Sequence, residues 1–175
     1  MRQSLLVCFA ALATTLGCAQ ADTPNAPPST AQPNMNPHYS RTDTTKLTVS
    51  DAEWKRILPE ELYYIAREAG TERAFTGKYW DFEGTGTYYC AVCGNPLFKS
   101  DSKFGSGCGW PSFYETIRPN SVAYIVDRSH GMVREEVRCG RCNSHLGHVF
   151  DDGPPPTGKR FCMNSPVLDF EPGTK

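Results

Sequence analysis

Apolar and polar positions change rhythm several times along this chain. Residues Leu5 to Leu16 form a mostly apolar stretch behind Arg2, followed by Ala19-Gln20-Ala21. The stretch is too short for a permanent membrane helix, and a small-residue A-x-A site after it predicts a secretory signal peptide over residues 1–21. The chain is therefore expected to be exported, to a bacterial periplasm. Two forms of export stay open: soluble release after Ala21, or lipid anchoring through Cys18 in Thr15-Leu16-Gly17-Cys18. Gly17 fits the lipidation pattern, whereas Thr15 stands where an aliphatic residue is expected. A membrane contact is expected only if Cys18 is lipidated.

Residues 22–45 hold Pro24, Pro27, Pro28, Pro33 and Pro37 among small polar residues, with little to bury. Such a segment does not offset its ordering entropy and reads as a disordered linker, with His38 a bystander. The folded domain is expected over residues 46–175. Ser50-Asp51-Ala52-Glu53 matches a capping box and starts a short helix through Trp54 and Ile57. Pro59 suits the first position of a second helix, Glu60 and Glu61 its positive end, and Gly70 its termination. Leu62, Ile65 and Ala66 give that helix an apolar face. Past Gly70 the period shortens. Thr87-Tyr88-Tyr89, residues 122–126 and the roughly alternating run 132–138 read as strands between glycine and proline signals, and Asp152 to Gly158 reads as a loop. The fold class expected is mainly β, with antiparallel sheets and short N-terminal helices.

Composition narrows the function. The 175 residues suit one domain. Without residues 1–21 the chain has 17 basic and 19 acidic residues and no basic block. A nucleic-acid partner is not expected, because such proteins carry a basic stripe.

The eight cysteines carry most of the remaining information. Cys90-Ala91-Val92-Cys93-Gly94 and Cys139-Gly140-Arg141-Cys142-Asn143 are two CxxC knuckles, 45 residues apart. Two such knuckles complete a tetrahedral four-sulfur site, closed to substrate, so one structural Zn2+ per chain is expected on Cys90, Cys93, Cys139 and Cys142. Disulfides are the alternative an oxidising compartment favours. A thioredoxin-like redox CxxC would need a βαβ context that neither pair has.

Cys108, in the glycine-flanked run 106–113, and Cys162, in Arg160-Phe161-Cys162-Met163-Asn164, are left over. By residue type they are either a structural disulfide or an attacking thiol with its resolving partner. His145 and His148 lie between them in sequence and, taken alone, are more often structural than catalytic.

Longer motifs decide between these readings. The chain resembles the B-type, R-specific methionine sulfoxide reductases over about residues 47–170, through Gly70 to Gly77, SGCGWPSF at 106–113, HLGHVFDDGPPPTG at 145–158 and Arg160 to Ser165. Both CxxC pairs match the family's zinc ligands. The resemblance implies that Cys162 attacks the sulfoxide sulfur as a thiolate and becomes a sulfenic acid. His148, more than His145, would bind or protonate the oxygen, Asn164 would join the same polar cluster, and Trp110 would receive the substrate methyl group. Cys108 would resolve the sulfenic acid as a disulfide, which a thioredoxin-like dithiol reopens. The partners implied are oxidised proteins carrying methionine R-sulfoxide and that reductant; a monomer is expected. A non-catalytic zinc-stapled binding module and an S-specific reductase are the competing readings.

Overall fold

A computed structural model describes residues 36–173. The proposed signal peptide, Cys18 and residues 22–35 of the expected linker lie outside the described residues.

Two short helices open the folded body. In α1 (Asp51–Ile57) the Ser50 hydroxyl accepts the Glu53 amide proton at 3.2 Å, as the capping box requires, and Trp54 is buried. In α2 (Glu60–Glu68) Pro59 is the capping residue itself and not the first helical one. Termination also differs from expectation. Ala69 takes the left-handed conformation (φ 53°), and Gly70 follows it with its amide on the Tyr64 carbonyl. A Cβ at Gly70 would lie 2.3 Å from the ring of half-exposed Tyr64, which would have to turn aside. Ile65 and Ala66 of α2 are buried, as the apolar face implies.

Nine strands follow among the described residues, all paired antiparallel. They are β1 (Gly86–Cys90), β2 (Pro96–Lys99), β3 (Lys103–Phe104), β4 (Ser112–Phe113), β5 (Val122–Asp127), β6 (Arg134–Cys139), β7 (His145–Phe150), β8 (Arg160–Met163) and β9 (Leu168–Pro172). One sheet has the order β2-β1-β9 and the other β3-β4-β8-β7-β6-β5. The mainly β, antiparallel class read from the sequence is the observed one. Aromatic side chains weld the sheets together: Phe98 of β2 stacks on Phe113 of β4 at 4.3 Å, and Tyr88 of β1 meets Phe113 edge-on at 4.9 Å. All three are buried; burying one such side chain contributes about 1.5–3 kcal/mol. Trp54 and Ile65 bring the helices onto the same core.

Residues 36–45, assigned to the linker by composition, are instead a fixed arm, so the ordered body begins before residue 46. Polar contacts hold it. Asn36 donates to the Val92 carbonyl at 2.6 Å and the Ser40 amide to Cys93 at 2.9 Å. Arg41 bridges Asp169 at 2.7 Å and Glu171 at 2.6 Å on β9. His38 is no bystander: its Nε2 meets Glu53 at 3.0 Å and its ring packs edge-on against Trp54. Arg141, between the cysteines of the second knuckle, reaches back to Asp43, to the carbonyls of His38 and Thr45, and to Cys93 of the first knuckle. The arm thus ties the two knuckles to each other.

Candidate active site

Each CxxC unit folds back through a tight turn. The Gly94 amide donates to Cys90 at 2.7 Å and the Asn143 amide to Cys139 at 2.9 Å. Gly94 (φ 78°) and Asn143 (φ 58°) are both left-handed, which explains the residue types after each knuckle. Cys90 Sγ lies 3.7 Å from Cys142 Sγ, Cys93 Sγ lies 3.6 Å from Cys139 Sγ, and all four sulfurs fall within 4.8 Å of one another. A tetrahedron with arms of ~2.3 Å has edges of ~3.8 Å, so the donor set fits a thiolate-bound metal ion. A disulfide needs S–S ≈ 2.05 Å, and all four are free thiols. The four cysteines are buried in the core and therefore brace it.

Cys162 sits elsewhere, at the middle of the six-stranded sheet. Alternation along β8 sends Phe161 and Met163 into the core and leaves Arg160 and Cys162 on the opposite, partly open face. In register, Cys162 faces Ser112 of β4 on one side and His148 of β7 on the other. Directly opposed residues share a sheet face, so serine, cysteine and histidine form a row. Gly147 permits the close approach of β7 to β8: a Cβ there would lie 2.1 Å from the Cys162 carbonyl oxygen.

The loop before β4 folds Cys108 back over this row. Gly109 (φ 90°) makes the bend, and its carbonyl takes the Phe75 amide at 2.8 Å. Cys108 Sγ comes to rest 3.6 Å from Cys162 Sγ. The two cysteines left over in the sequence are thus brought together, as free thiols.

Their protonation is unequal. Burial pushes the Cys162 thiol up to about 12, the Cys108 sulfur adds to the shift, and Arg160 opposes it. Burial also raises Cys108, but hydrogen bonds from Ser106, Ser112, the Trp110 backbone and Cys162 outweigh it and bring the thiol down to about 7. Of the two sulfurs, Cys108 is thus the one whose ionisation its surroundings favour.

Both histidines are on β7, with ring centroids 5.5 Å apart. His148 is the one opposite Cys162; its Nε2 lies 2.8 Å from Asp127 of β5, leaving Nδ1 for substrate or water. Ser129 and then His148 and Arg134 hold the Asp127 carboxyl well below the usual carboxylate range. His145 is more deeply buried, 3% exposed against 14% for His148. Its Nδ1 meets Glu136 at 2.7 Å and its Nε2 has no protein partner. Burial depresses its pKa, with Glu136 partly offsetting. Neither histidine joins the four-cysteine cluster.

Asn164 is buried and fully employed: its Oδ1 accepts from the Glu72 amide at 3.0 Å, and its Nδ2 donates to Leu146 at 3.2 Å. It pins the 70–77 segment to β7. Trp110 Nε1 donates to the Glu72 carbonyl at 3.2 Å, so the same segment also holds the indole. Trp110 lines a cleft of about 570 Å³ with Trp80, Phe82 and Phe104. Cys108, Cys162 and His148 are not among the residues that line this cleft. Sequence reasoning did not single out Ser106, Ser112, Asp127 or Glu136, although Ser106 and Ser112 lie inside a quoted motif.

A part-buried pair of free thiols 3.6 Å apart, one of them directly opposite a carboxylate-anchored histidine, defines a thiol-dependent oxidoreductase on a β fold that carries a four-cysteine cluster. Residues 58–172 match the family model described as SelR domain. The chain is 60% identical over 123 residues to the peptide methionine sulfoxide reductase MsrB of Thiobacillus denitrificans, covering 70% of this chain and 93% of that one. It is 55% identical over 127 residues to the MsrB of Agrobacterium fabrum, covering 73% and 94%, and 54% identical over 134 residues to that of a Synechococcus species, covering 77% and 98%. The protein belongs to the methionine sulfoxide reductase B family.

Proposed function

We propose that the protein reduces the R epimer of methionine sulfoxide in oxidised proteins to methionine, by a two-cysteine cycle. The observation that carries this reading is the 3.6 Å approach of Cys108 and Cys162 in the row with His148. Cys162 passes its proton toward Cys108 and attacks the sulfoxide sulfur. The sulfoxide oxygen takes up a proton through His148 or a water that it positions, and moves to Cys162 as methionine departs. Cys162 is left as a sulfenic acid. Cys108 then attacks Cys162, water leaves, and the disulfide formed is reopened by a thioredoxin-like dithiol. Trp110 supplies an aromatic wall for the substrate's S-methyl group.

The metal is Zn2+ in this reading, held by Cys90, Cys93, Cys139 and Cys142. Four buried thiolates leave no open coordination position, so zinc stabilises the fold and takes no step of the reaction. The apolar stretch behind Arg2 supports export to the periplasm, either soluble or anchored through Cys18. The reductant would then be a periplasmic dithiol protein. Separated epimers of a methionine sulfoxide peptide test the assignment. Turnover of the R epimer alone, abolished by Cys162→Ser, is the expected result. Turnover of the S epimer, or full activity in Cys162→Ser, would refute it.

A further inference from the structure

Three oxygen and sulfur atoms crowd together beside Cys162 in a way that the redox cycle above leaves unexplained. Ser106 Oγ lies 3.0 Å from Cys108 Sγ and 2.7 Å from Ser112 Oγ, while Ser112 Oγ lies 3.5 Å from the same sulfur. Each hydroxyl owns one proton. A 2.7 Å oxygen–oxygen contact needs one proton between the oxygens. Ser112 has two acceptors in reach, the Ser106 oxygen at 2.7 Å and the Trp110 carbonyl at 3.3 Å; the shorter contact takes its proton, which leaves the Ser106 proton to point at Cys108, its closest remaining neighbour. The Cys108 amide also reaches Ser106 Oγ, at 3.4 Å, so that oxygen accepts twice and donates once. The Ser112 dipole then polarises Ser106, whose own proton runs toward the sulfur.

Ser112 is suited to anchor such a chain. It is buried on β4, directly opposite Cys162, and its position is fixed by the sheet. The charged and titratable groups facing Cys108 from other elements are Cys162 and Arg160, both on β8. Arg160 is held by Asp152 through two contacts of 2.8 Å and acts on both sulfurs as a nearby positive charge, which Ser106 and Ser112 supplement at Cys108.

We propose that Ser106 and Ser112 are positioning residues for the resolving step, a two-hydroxyl relay in which Ser112 donates to Ser106 and Ser106 aims its proton at Cys108 Sγ, keeping that sulfur ready to attack. This inference rests on the reading of Cys108 as the resolving cysteine. Once Cys162 carries its sulfenic hydroxyl, Cys108 gives up the proton it took from Cys162 and attacks the Cys162 sulfur as a thiolate, that proton being the one the leaving hydroxide needs. An S–S bond forms, the S–O bond breaks, and hydroxide leaves and takes up a proton to become water. The sulfenic sulfur is reduced and the thiolate sulfur oxidised, both to the disulfide level.

The pH dependence of Cys108 alkylation by iodoacetamide tests the relay, read on the Cys108 peptide by mass spectrometry in a Cys162→Ser background. The midpoint is expected near the neutral range. Ser106→Ala should raise it by about one to two pH units, the worth of one hydrogen bond to a charged group. Ser112→Ala should raise it less, and Ser106→Thr should leave it in place. A Ser106→Ala profile superimposed on its parent would overturn the proposal. With Cys162 restored, Ser106→Ala should still release methionine in the first turnover but form the disulfide more slowly. Absence of methionine release from every variant, the parent included, would fail the reductase reading alone, because the alkylation profile judges the relay without it.

Discussion

His148 stands directly across from Cys162 on the neighbouring strand of the six-stranded sheet, so imidazole and thiol share one face. Asp127, two strands further along, fixes the ring through Nε2 at 2.8 Å. A positioned acid contributes ~10²–10⁴-fold. His148→Ala should therefore lower kcat by about 10²-fold or more, with KM little changed. Asp127→Asn should cost about tenfold, since it loosens the ring without removing it. Steady-state kinetics of both variants check this; equal activity in His148→Ala would remove the histidine from the reaction.

Asp127 also sets an acid limit on stability. Its carboxyl is held below its ordinary value by Ser129, His148 and Arg134 in the folded state. A group with a depressed folded pKa stabilises above its unfolded value, about 3.9, and loses that contribution as pH falls toward the folded value. The Tm should drop below about pH 4, and Asp127→Asn should flatten that limb while lowering Tm at neutral pH. Thermal melts across pH 2–7 decide it, with parallel curves as the contrary result.

Removing Cys108 should change Cys162. Burial raises the Cys162 thiol first, and the neighbouring Cys108 sulfur raises it further. Cys108→Ala removes the second influence and keeps the first. The first-turnover rate should then reach its plateau at lower pH than in the parent, while multiple turnover with a dithiol protein fails. An unmoved pH profile would show that the two sulfurs do not interact in solution.

The N-terminal arm should matter to the metal site. Arg141 is 3% exposed and paired with Asp43 of the arm. Arg141→Ala, or removal of residues up to 45, should cost about 2–4 kcal/mol, because carbonyls and a carboxylate lose their buried donor. Zinc should also leave faster to a chelator. Denaturant melts and a colorimetric zinc release assay measure both. Unchanged melts and release rates would reduce the arm to decoration.

These expectations were legible in the sequence to different depths. The helix start at Ser50, the two knuckles and the strand runs follow from spacing alone, because capping and CxxC turns are local. The arm did not, since its order comes from Arg141, Val92 and Asp169, all distant in sequence. Composition registers apolar burial and is blind to such polar ties. Asp127 was hidden for a related reason: only the register of β5, β6 and β7 brings it to His148. The motif pointed to Cys162 and Cys108 but not to the unequal surroundings of the two sulfurs, which come from the depth of Cys162 and from hydroxyls on the loop before β4 and on β4 itself.

The central claim is that Cys162 and Cys108 act as one redox pair while the other four cysteines only brace the fold. Peptide mapping under non-reducing conditions tests it most directly. Reduced, metal-loaded protein is given one equivalent of a peptide methionine R-sulfoxide with no external dithiol. The expected result is one equivalent of methionine peptide and a single new disulfide joining Cys108 to Cys162, with Cys90, Cys93, Cys139 and Cys142 unchanged. Methionine release accompanied by oxidation of the knuckle cysteines, or with Cys108 and Cys162 still reduced, would contradict the account.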